Sequence, residues 1–317
     1  MIPPFEKALV LTGPTGSGKS DLGLELAERL GAEIISMDSM ALYRGMDIGT
    51  AKPGAESRRR VPHHLIDVRE PWQSASVAWW LAQAAACCRD IECRGKRVLF
   101  VGGSPLYLKA LLFGLFGGPP RDEQLRTRLA KEAVTAPAAL HERLRRVDPA
   151  TANRLHPNDV RRIVRALEVW QLTGKPISSW QKEWPCAADA VDETERTRIL
   201  CLDVPRDELY RRIDARVEQM SADGLVEEVR RLRQQPMSRE ASQAAGYKEM
   251  LDYLDGRASL EETVRKIQTR TRNLAKRQLT WFRRLPGCRF VPRELTFRLW
   301  GLTMDAVPAR HGTNPGG

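Results

Sequence analysis

The chain has 317 residues, a formal charge of +11, a pI near 9.6, and 42% hydrophobic and 29% charged residues. That balance belongs to a globular protein and excludes a fibrous or wholly disordered chain, and no apolar run is long enough to span a bilayer. The surplus of Lys and Arg points to a polyanionic partner, nucleic acid first, with a generally basic surface as the plainer alternative. Ala8 to Leu11 is apolar and leads, as a strand, into Gly13-Pro14-Thr15-Gly16-Ser17-Gly18-Lys19-Ser20, after which Leu22, Leu26 and Leu30 keep helical spacing. Strand, G-x-x-x-x-G-K-S and helix make a phosphate-binding loop. Its glycines let successive N–H groups turn toward an anion, and the helix N-terminus adds partial positive charge. Lys19 adds a full charge, and Ser20 offers a hydroxyl to Mg²⁺. The loop predicts a bound di- or triphosphate and leaves open which one.

Ala32 to Met37 reads as a second strand ending at Asp38-Ser39. Open α/β sheets hold ligands beyond the carboxyl ends of their strands, so Asp38 is placed to meet what Lys19 holds; a helix cap or a metal ligand are the alternatives. Tyr43 to Pro53 is an aperiodic, glycine-containing loop, and His63-His64 is expected to be structural rather than metal-binding. A helix over Val77 to Ile91 precedes a short buried strand, Arg97 to Val101, that ends in Gly102-Gly103-Ser104. Many phosphate-loop ATPases place a Mg²⁺-binding aspartate after such a strand. Here Asp67, behind Leu65-Ile66, is the candidate substitute.

From Pro119-Pro120 the chain becomes helical and Arg-rich, through Arg121, Arg126, Arg128, Arg143, Arg145 and Arg146. Pro149 opens a further helical stretch in which Arg161 and Arg165 share one face and Ile163 and Leu167 another, until Gly174-Lys175-Pro176. Ile199 to Val204 returns to the sheet, and helical spacing follows in Leu209, Ile213, Val217 and Met220, then in Leu225, Val229 and Leu232. A last long helix over about residues 260–285 turns Val264, Ile267, Leu274 and Phe282 inward, and Arg265, Arg272, Lys276 and Arg283 outward. Acids are nearly absent from Val264 to Arg289, so this face is expected to contact phosphates rather than merely water. The six cysteines, Cys87, Cys88, Cys93, Cys186, Cys201 and Cys288, show no metal or disulfide spacing and are expected to be reduced. With no charged-then-apolar leader, the protein is expected in the cytoplasm. The predicted fold is α/β: a P-loop NTPase-like parallel sheet flanked by helices, in residues 1–118 and 196–304, with a mainly helical insertion over 119–195 and a disordered tail over 305–317.

Several stretches together resemble one family, the bacterial tRNA dimethylallyltransferases, which prenylate the adenine next to the anticodon. They are Gly13–Ser20, Asp38-Ser39 with Tyr43–Pro53, His63–Asp67, Val101–Ser104 with Leu106-Tyr107, His156–Glu168, Gly246-Tyr247, and Thr271–Phe282 around Ala275-Lys276-Arg277-Gln278. The phosphate loop alone is generic; Gly45-Met46-Asp47-Ile48-Gly49-Thr50-Ala51-Lys52-Pro53 and the late Thr271-to-Gln278 run are specific. The resemblance implies that the loop holds the diphosphate of dimethylallyl diphosphate, with Mg²⁺, rather than ATP. It implies Asp38 as general base, with Lys19 and Ser104 at the reacting groups. It places Asp38, Ser39, Met40, Ala41, Ser104, Arg126, Arg161, Arg162, Ile163, Val164, Arg165, Gln243, Gly246, Tyr247 and Lys248 toward the tRNA anticodon arm, and the outer face of the last helix adds Arg272 and Lys276. This chain departs from the family in carrying Ser104 for a usual Thr, Ala75 near a usual Tyr, and Arg161 for a frequent Gln. A monomer without membrane contact is expected. Three other readings compete. A small-molecule kinase would turn over ATP and leave the charge unused. A transferase acting on free adenine nucleotides would not need the basic insertion. A pure RNA-binding module would have no use for both Lys19 and Asp38.

Overall fold

Strands β1 (Leu9–Thr12), β2 (Ala32–Ser36), β3 (His63–His64), β4 (Arg97–Gly102), β5 (Ile199–Leu202) and β6 (Arg289–Val291) form one sheet in the order β3-β2-β4-β1-β5-β6, parallel throughout. The structure is a computed structural model and describes residues 1–115, 117–182 and 197–302. Cys186 and the expected tail over 305–317 lie outside the described residues. Strands covered on both faces read as continuous apolar runs. Val10 and Leu11, Ile34 and Ile35, Leu99 and Phe100, and Leu200 are all buried. Strand β1 lies between β4 and β5, which follow one another in the chain, so the order reverses beside it. The crevice beyond the carboxyl ends at such a switch point is where open α/β sheets bind ligands. The predicted parallel α/β sheet is borne out.

Contacts divide the described chain into two units, 1–112 with 197–302, and 113–182. In the first unit, α1 (Lys19–Leu30) lays Leu22, Leu26, Ala27 and Leu30 on the sheet. Its N-cap, Gly18, has φ 81°, a left-handed conformation that a side chain would strain. Helices α2 (Ala55–Arg60), α3 (Val77–Cys93) and α4 (Pro105–Phe113) follow.

The second unit packs α5 (Glu123–Thr135), α6 (Pro137–Val147), α7 (Pro149–Ala152), α8 (Val160–Thr173) and α9 (Ile177–Lys182) around Leu125, Leu129, Leu140, Leu144, Ile163 and Leu167. The stretch expected to run on from Pro149 is two helices, because Asp148 caps α7 through the Thr151 amide and Asp159 starts α8 through that of Arg162. Glu168 is fully buried. It receives a fork from Arg126 (both 2.8 Å), a bond from Arg165 (2.6 Å) and the Asp122 amide (2.8 Å). Burial pushes its carboxyl up, but these donors outweigh it and hold the group below the usual carboxylate range. Arg165 is therefore turned to Glu168 and the Pro119 carbonyl (3.0 Å), whereas Arg161 is exposed. Shared helix spacing does not make these two one basic patch.

The first unit resumes with α10 (Arg206–Ala222), α11 (Leu225–Leu232), α12 (Arg239–Ser242), α13 (Tyr247–Leu254), α14 (Leu260–Phe282) and α15 (Arg293–Leu299). Helix α14 begins in a capping box, Ser259 with Glu262, and buries Thr263, Ile267, Ala275, Gln278 and Phe282. Its outer face is less bare than the local absence of acids predicts. Arg272 bonds Asp214 of α10 (2.5 Å), Arg270 bonds Glu249 of α13, and Arg265 pairs with Glu261 one turn back. The neutralising carboxylates come from packed neighbours and from the helix's own first turn. Among the described residues, no acid pairs with exposed Lys276 or Arg277.

Candidate active site

A cavity of about 450 Å³ opens at the carboxyl ends of β1, β2 and β4. Three turns build its polar floor. The turn after β1 and the start of α1 contribute Thr15, Lys19 and Ser20; the turn after β2 contributes Asp38 and Ser39; the turn after β4 contributes Gly103 and Ser104. The last two turns are pressed together at Gly102, where a Cβ would stand 2.4 Å from the carbonyl carbon of Met37. Only glycine permits that approach. It lets the Ser104 amide donate to the Met37 carbonyl (3.2 Å) and lets Ser104 Oγ accept from the Ser39 amide (3.2 Å). Asp38 and Ser104 thus belong to one locked junction.

Asp38 Oδ1 accepts from the amides of Met40 (2.8 Å) and Ala41 (3.4 Å), which is the turn-capping geometry open to an aspartate at this place. Its Oδ2 has no hydrogen bond among the described residues and is left to the cavity. Lys19 Nζ donates to the Pro14 carbonyl (3.3 Å). Burial draws the Lys19 ammonium down to about 8; Asp38 opposes that shift and Arg216 adds to it. Arg216, from α10, lines the same cavity; burial lowers its pKa while Asp38 and Asp21 counteract. Lys19 and Arg216 thus stand with Asp38 on this floor, and Lys52 and Glu240 also line the cavity. A wall with Met40, Ala75, Leu106, Met220, Ile267 and Leu274 makes the remaining lining largely apolar.

Of the residues expected at the site, Thr15, Lys19, Ser20, Asp38, Ser39, Met40, Ala41, Ser104 and Gly246 line this one cavity, as does Ala75. Gly13, Pro14, Gly16, Ser17 and Gly18 form the loop behind Lys19, where Ser17 Oγ is buried without a hydrogen-bond partner. Asp67, the candidate substitute acid, instead bonds Lys52 and Arg58, each at 2.6 Å, so it pins the 43–53 loop and holds nothing in the cavity. Tyr247 is fully buried, its hydroxyl donating to Glu228 (2.6 Å), and Ile163 and Val164 are buried in the second unit. Gln243, Lys248, Arg161, Arg162 and Lys276 are exposed.

Three residues to which sequence reasoning gave no role at the site prove central. Arg216 sits one turn after Ile213 and beside Val217, a cation flanking an apolar stripe. Gln278 occupies a position in the inner stripe of α14 where apolar spacing calls for a hydrophobe. Glu228, 1% exposed on α11, accepts from the amides of Asp47 (2.9 Å), Ile48 (2.7 Å) and Gly49 (3.1 Å) as well as from Tyr247. A polar residue on a buried helix face was the available signal for Gln278 and Glu228.

The IPP transferase family model matches residues 41–285. The chain belongs to the IPP transferase family. Among its relatives, the tRNA dimethylallyltransferase of Pelotomaculum thermopropionicum is 48% identical over 91% of each chain. The crystal structure of a full-length tRNA isopentenylpyrophosphate transferase from Bacillus halodurans is 40% identical, covers 91% of this chain and 90% of that one, and superposes with a TM-score of 0.65. A eukaryotic dimethylallyltransferase whose structures are described as snapshots of it acting on tRNA is 28% identical, with a TM-score of 0.74 over 90% of this chain and 73% of that one. The family match starts at Ala41, so the phosphate loop and Asp38 lie before it and rest on their own geometry.

Proposed function

We propose that this family member transfers a dimethylallyl group from dimethylallyl diphosphate to the exocyclic amine of the adenine adjacent to the anticodon in tRNA, releasing diphosphate. The observation that carries the reading is one cavity in which the end of a phosphate-binding loop, a carboxylate with an uncommitted oxygen and an apolar wall meet. The names and likeness of the relatives support the same activity.

In the reaction the allylic C–O bond breaks and an N–C bond forms. The loop amides, Lys19 and Arg216 bind the diphosphate as its charge develops, and fixed cations in a partly dry site do this without reorganising. The apolar wall takes the hydrocarbon end and keeps water from the allylic carbon. Asp38 Oδ2 takes the amine proton as the nitrogen attacks, while the two amides on Oδ1 hold the carboxylate in place. Ser104, whose Oγ accepts from Ser39, keeps its own proton to donate to the base. The adenine has to leave its stack to enter such a cavity. Lys276, Arg277 and Lys248, and in the second unit Arg161 and Arg162, are exposed cations suited to the RNA backbone.

Mg²⁺ fits the donors present. Ser20 offers a hard hydroxyl oxygen beside Lys19 in the same cavity, a donor type that suits an ion sharing its shell with a diphosphate. When bound there, it would neutralise charge on the leaving diphosphate.

The test is to incubate the protein with bulk tRNA and either dimethylallyl diphosphate labelled in its hydrocarbon or ATP labelled in its terminal phosphate. Label passing from the first into tRNA is expected. Transfer of the ATP phosphate to a small acceptor, with no prenyl label in RNA, would instead make the protein a kinase.

A further inference from the structure

Gln278 lies in α14, far in sequence from the phosphate loop, and is 9% exposed. Its side-chain amide uses both ends. Oε1 accepts from the Thr15 amide at 2.9 Å, and Nε2 donates to the Gly103 carbonyl at 2.6 Å. Thr15 belongs to the loop that carries Lys19, and Gly103 precedes Ser104 in the turn locked against Asp38. The fit is close, since a Cβ on Gly103 would stand 2.8 Å from Gln278 Nε2. No other side chain among the described residues hydrogen-bonds both turns. Thr12 Oγ1 ties β1 to the Gly102 carbonyl (2.8 Å), but that bond lies within the sheet, behind the cavity.

We propose that Gln278 is a positioning residue that sets the spacing between the diphosphate cradle and the base-bearing junction. This rests on the transfer reading above. A transfer between a bound leaving group and a bound acceptor depends on the distance between their holders, and a misplacement of about 1 Å can lower the rate on the order of a hundredfold. The helix that supplies Gln278 also presents Lys276 and Arg277 to solvent within the same turn. RNA held on that outer face is thereby joined, through one rigid turn of helix, to the loop that holds the leaving group. Gln278 lines the same cavity, but both ends of its side-chain amide are taken up by Thr15 and Gly103, and it acts through those two turns.

The test uses Gln278→Met, which keeps length and volume but makes neither hydrogen bond, and Gln278→Glu, which keeps the acceptor for Thr15 and loses the donor to Gly103. In the full-length protein with dimethylallyl diphosphate and tRNA, kcat of the Met variant should fall roughly tenfold to a hundredfold while KM for tRNA stays within about twofold. Its affinity for inorganic diphosphate, measured by calorimetry without any turnover, should fall too, because the loop that carries Lys19 loses its tie to the Gly103 turn and is no longer held in its binding shape. If the Met variant melts early enough to confuse the comparison, Gln278→Glu is read in its place and should show the same fall in kcat with tRNA KM retained. A kcat and a diphosphate affinity within twofold of the parent in a folded variant would overturn the proposal, as would a loss confined to tRNA KM. Failure of the transfer reading looks different: the parent protein itself would put no prenyl label into tRNA.

Discussion

Lys19 and Asp38 face one cavity, and burial acts strongly on Lys19. Desolvation lowers the Lys19 pKa to about 8. Below that value the ammonium is present to meet a diphosphate; above it the amine has to take up a proton on binding. Affinity for inorganic diphosphate should therefore hold up to about pH 8 and then weaken, approaching about tenfold per pH unit, as proton linkage requires. Calorimetric titrations across that range check this, and Lys19→Ala should bind weakly with no such break. Asp38→Asn retains shape and the turn bonds on Oδ1 but removes basicity. Transfer should slow by roughly 10²–10⁴-fold, with diphosphate and tRNA affinities little changed. Partial rescue of the Asn variant by excess Mg²⁺ would make Asp38 a metal ligand instead, and a rate within a few-fold of the parent would remove it from the chemistry.

Single side chains also decide how the elements are fixed. Glu228 on α11 gathers three successive amides of the 43–53 loop and the Tyr247 hydroxyl of α13, and that loop forms part of the cavity lining. Glu228→Ala leaves these buried donors unpaired and should destabilise the protein by about 2–4 kcal/mol, read from chemical unfolding. Tyr247→Phe removes one bond and should cost about 1 kcal/mol with tRNA affinity unchanged. A large loss of tRNA affinity in that variant would return Tyr247 to the RNA surface, where the family resemblance puts it. The strand, glycine loop and helix at Leu9–Leu30 were legible because they are local: a few contiguous residues fix the turn and the helix start. The β2 end with Asp38 and the β4 end with Ser104 were legible as strand termini, though their locking through Gly102 was not. Glu228 reaches its loop across 181 residues and Gln278 reaches Thr15 across 263, and nothing in periodicity pairs positions so far apart. The same limit explains the basic face of α14, where the acid that neutralises Arg272 comes from 58 residues away.

Across the whole molecule the charge of +11 is divided between cations committed to carboxylates and cations left to solvent. Arg126, Arg165 and Arg272 are of the first kind, Arg161, Lys276 and Arg277 of the second. Arg161→Glu and Lys276→Glu should each weaken tRNA binding and reduce the slope of log affinity against log salt by about one phosphate contact. Arg165→Glu would instead break the Glu168 cluster and show itself in stability. An unchanged salt slope in both exposed variants would leave these residues merely solvated. The account's central claim is that leaving-group binding and amine deprotonation are held in one cavity and act on one RNA base. It is tested most directly by measuring diphosphate release and nucleoside modification in the same reaction, with dimethylallyl diphosphate, Mg²⁺ and tRNA. One diphosphate released for each adenine prenylated beside the anticodon, and almost none without RNA, is the predicted result. Diphosphate released at the same rate without RNA, or prenylation spread over other nucleosides, would contradict it.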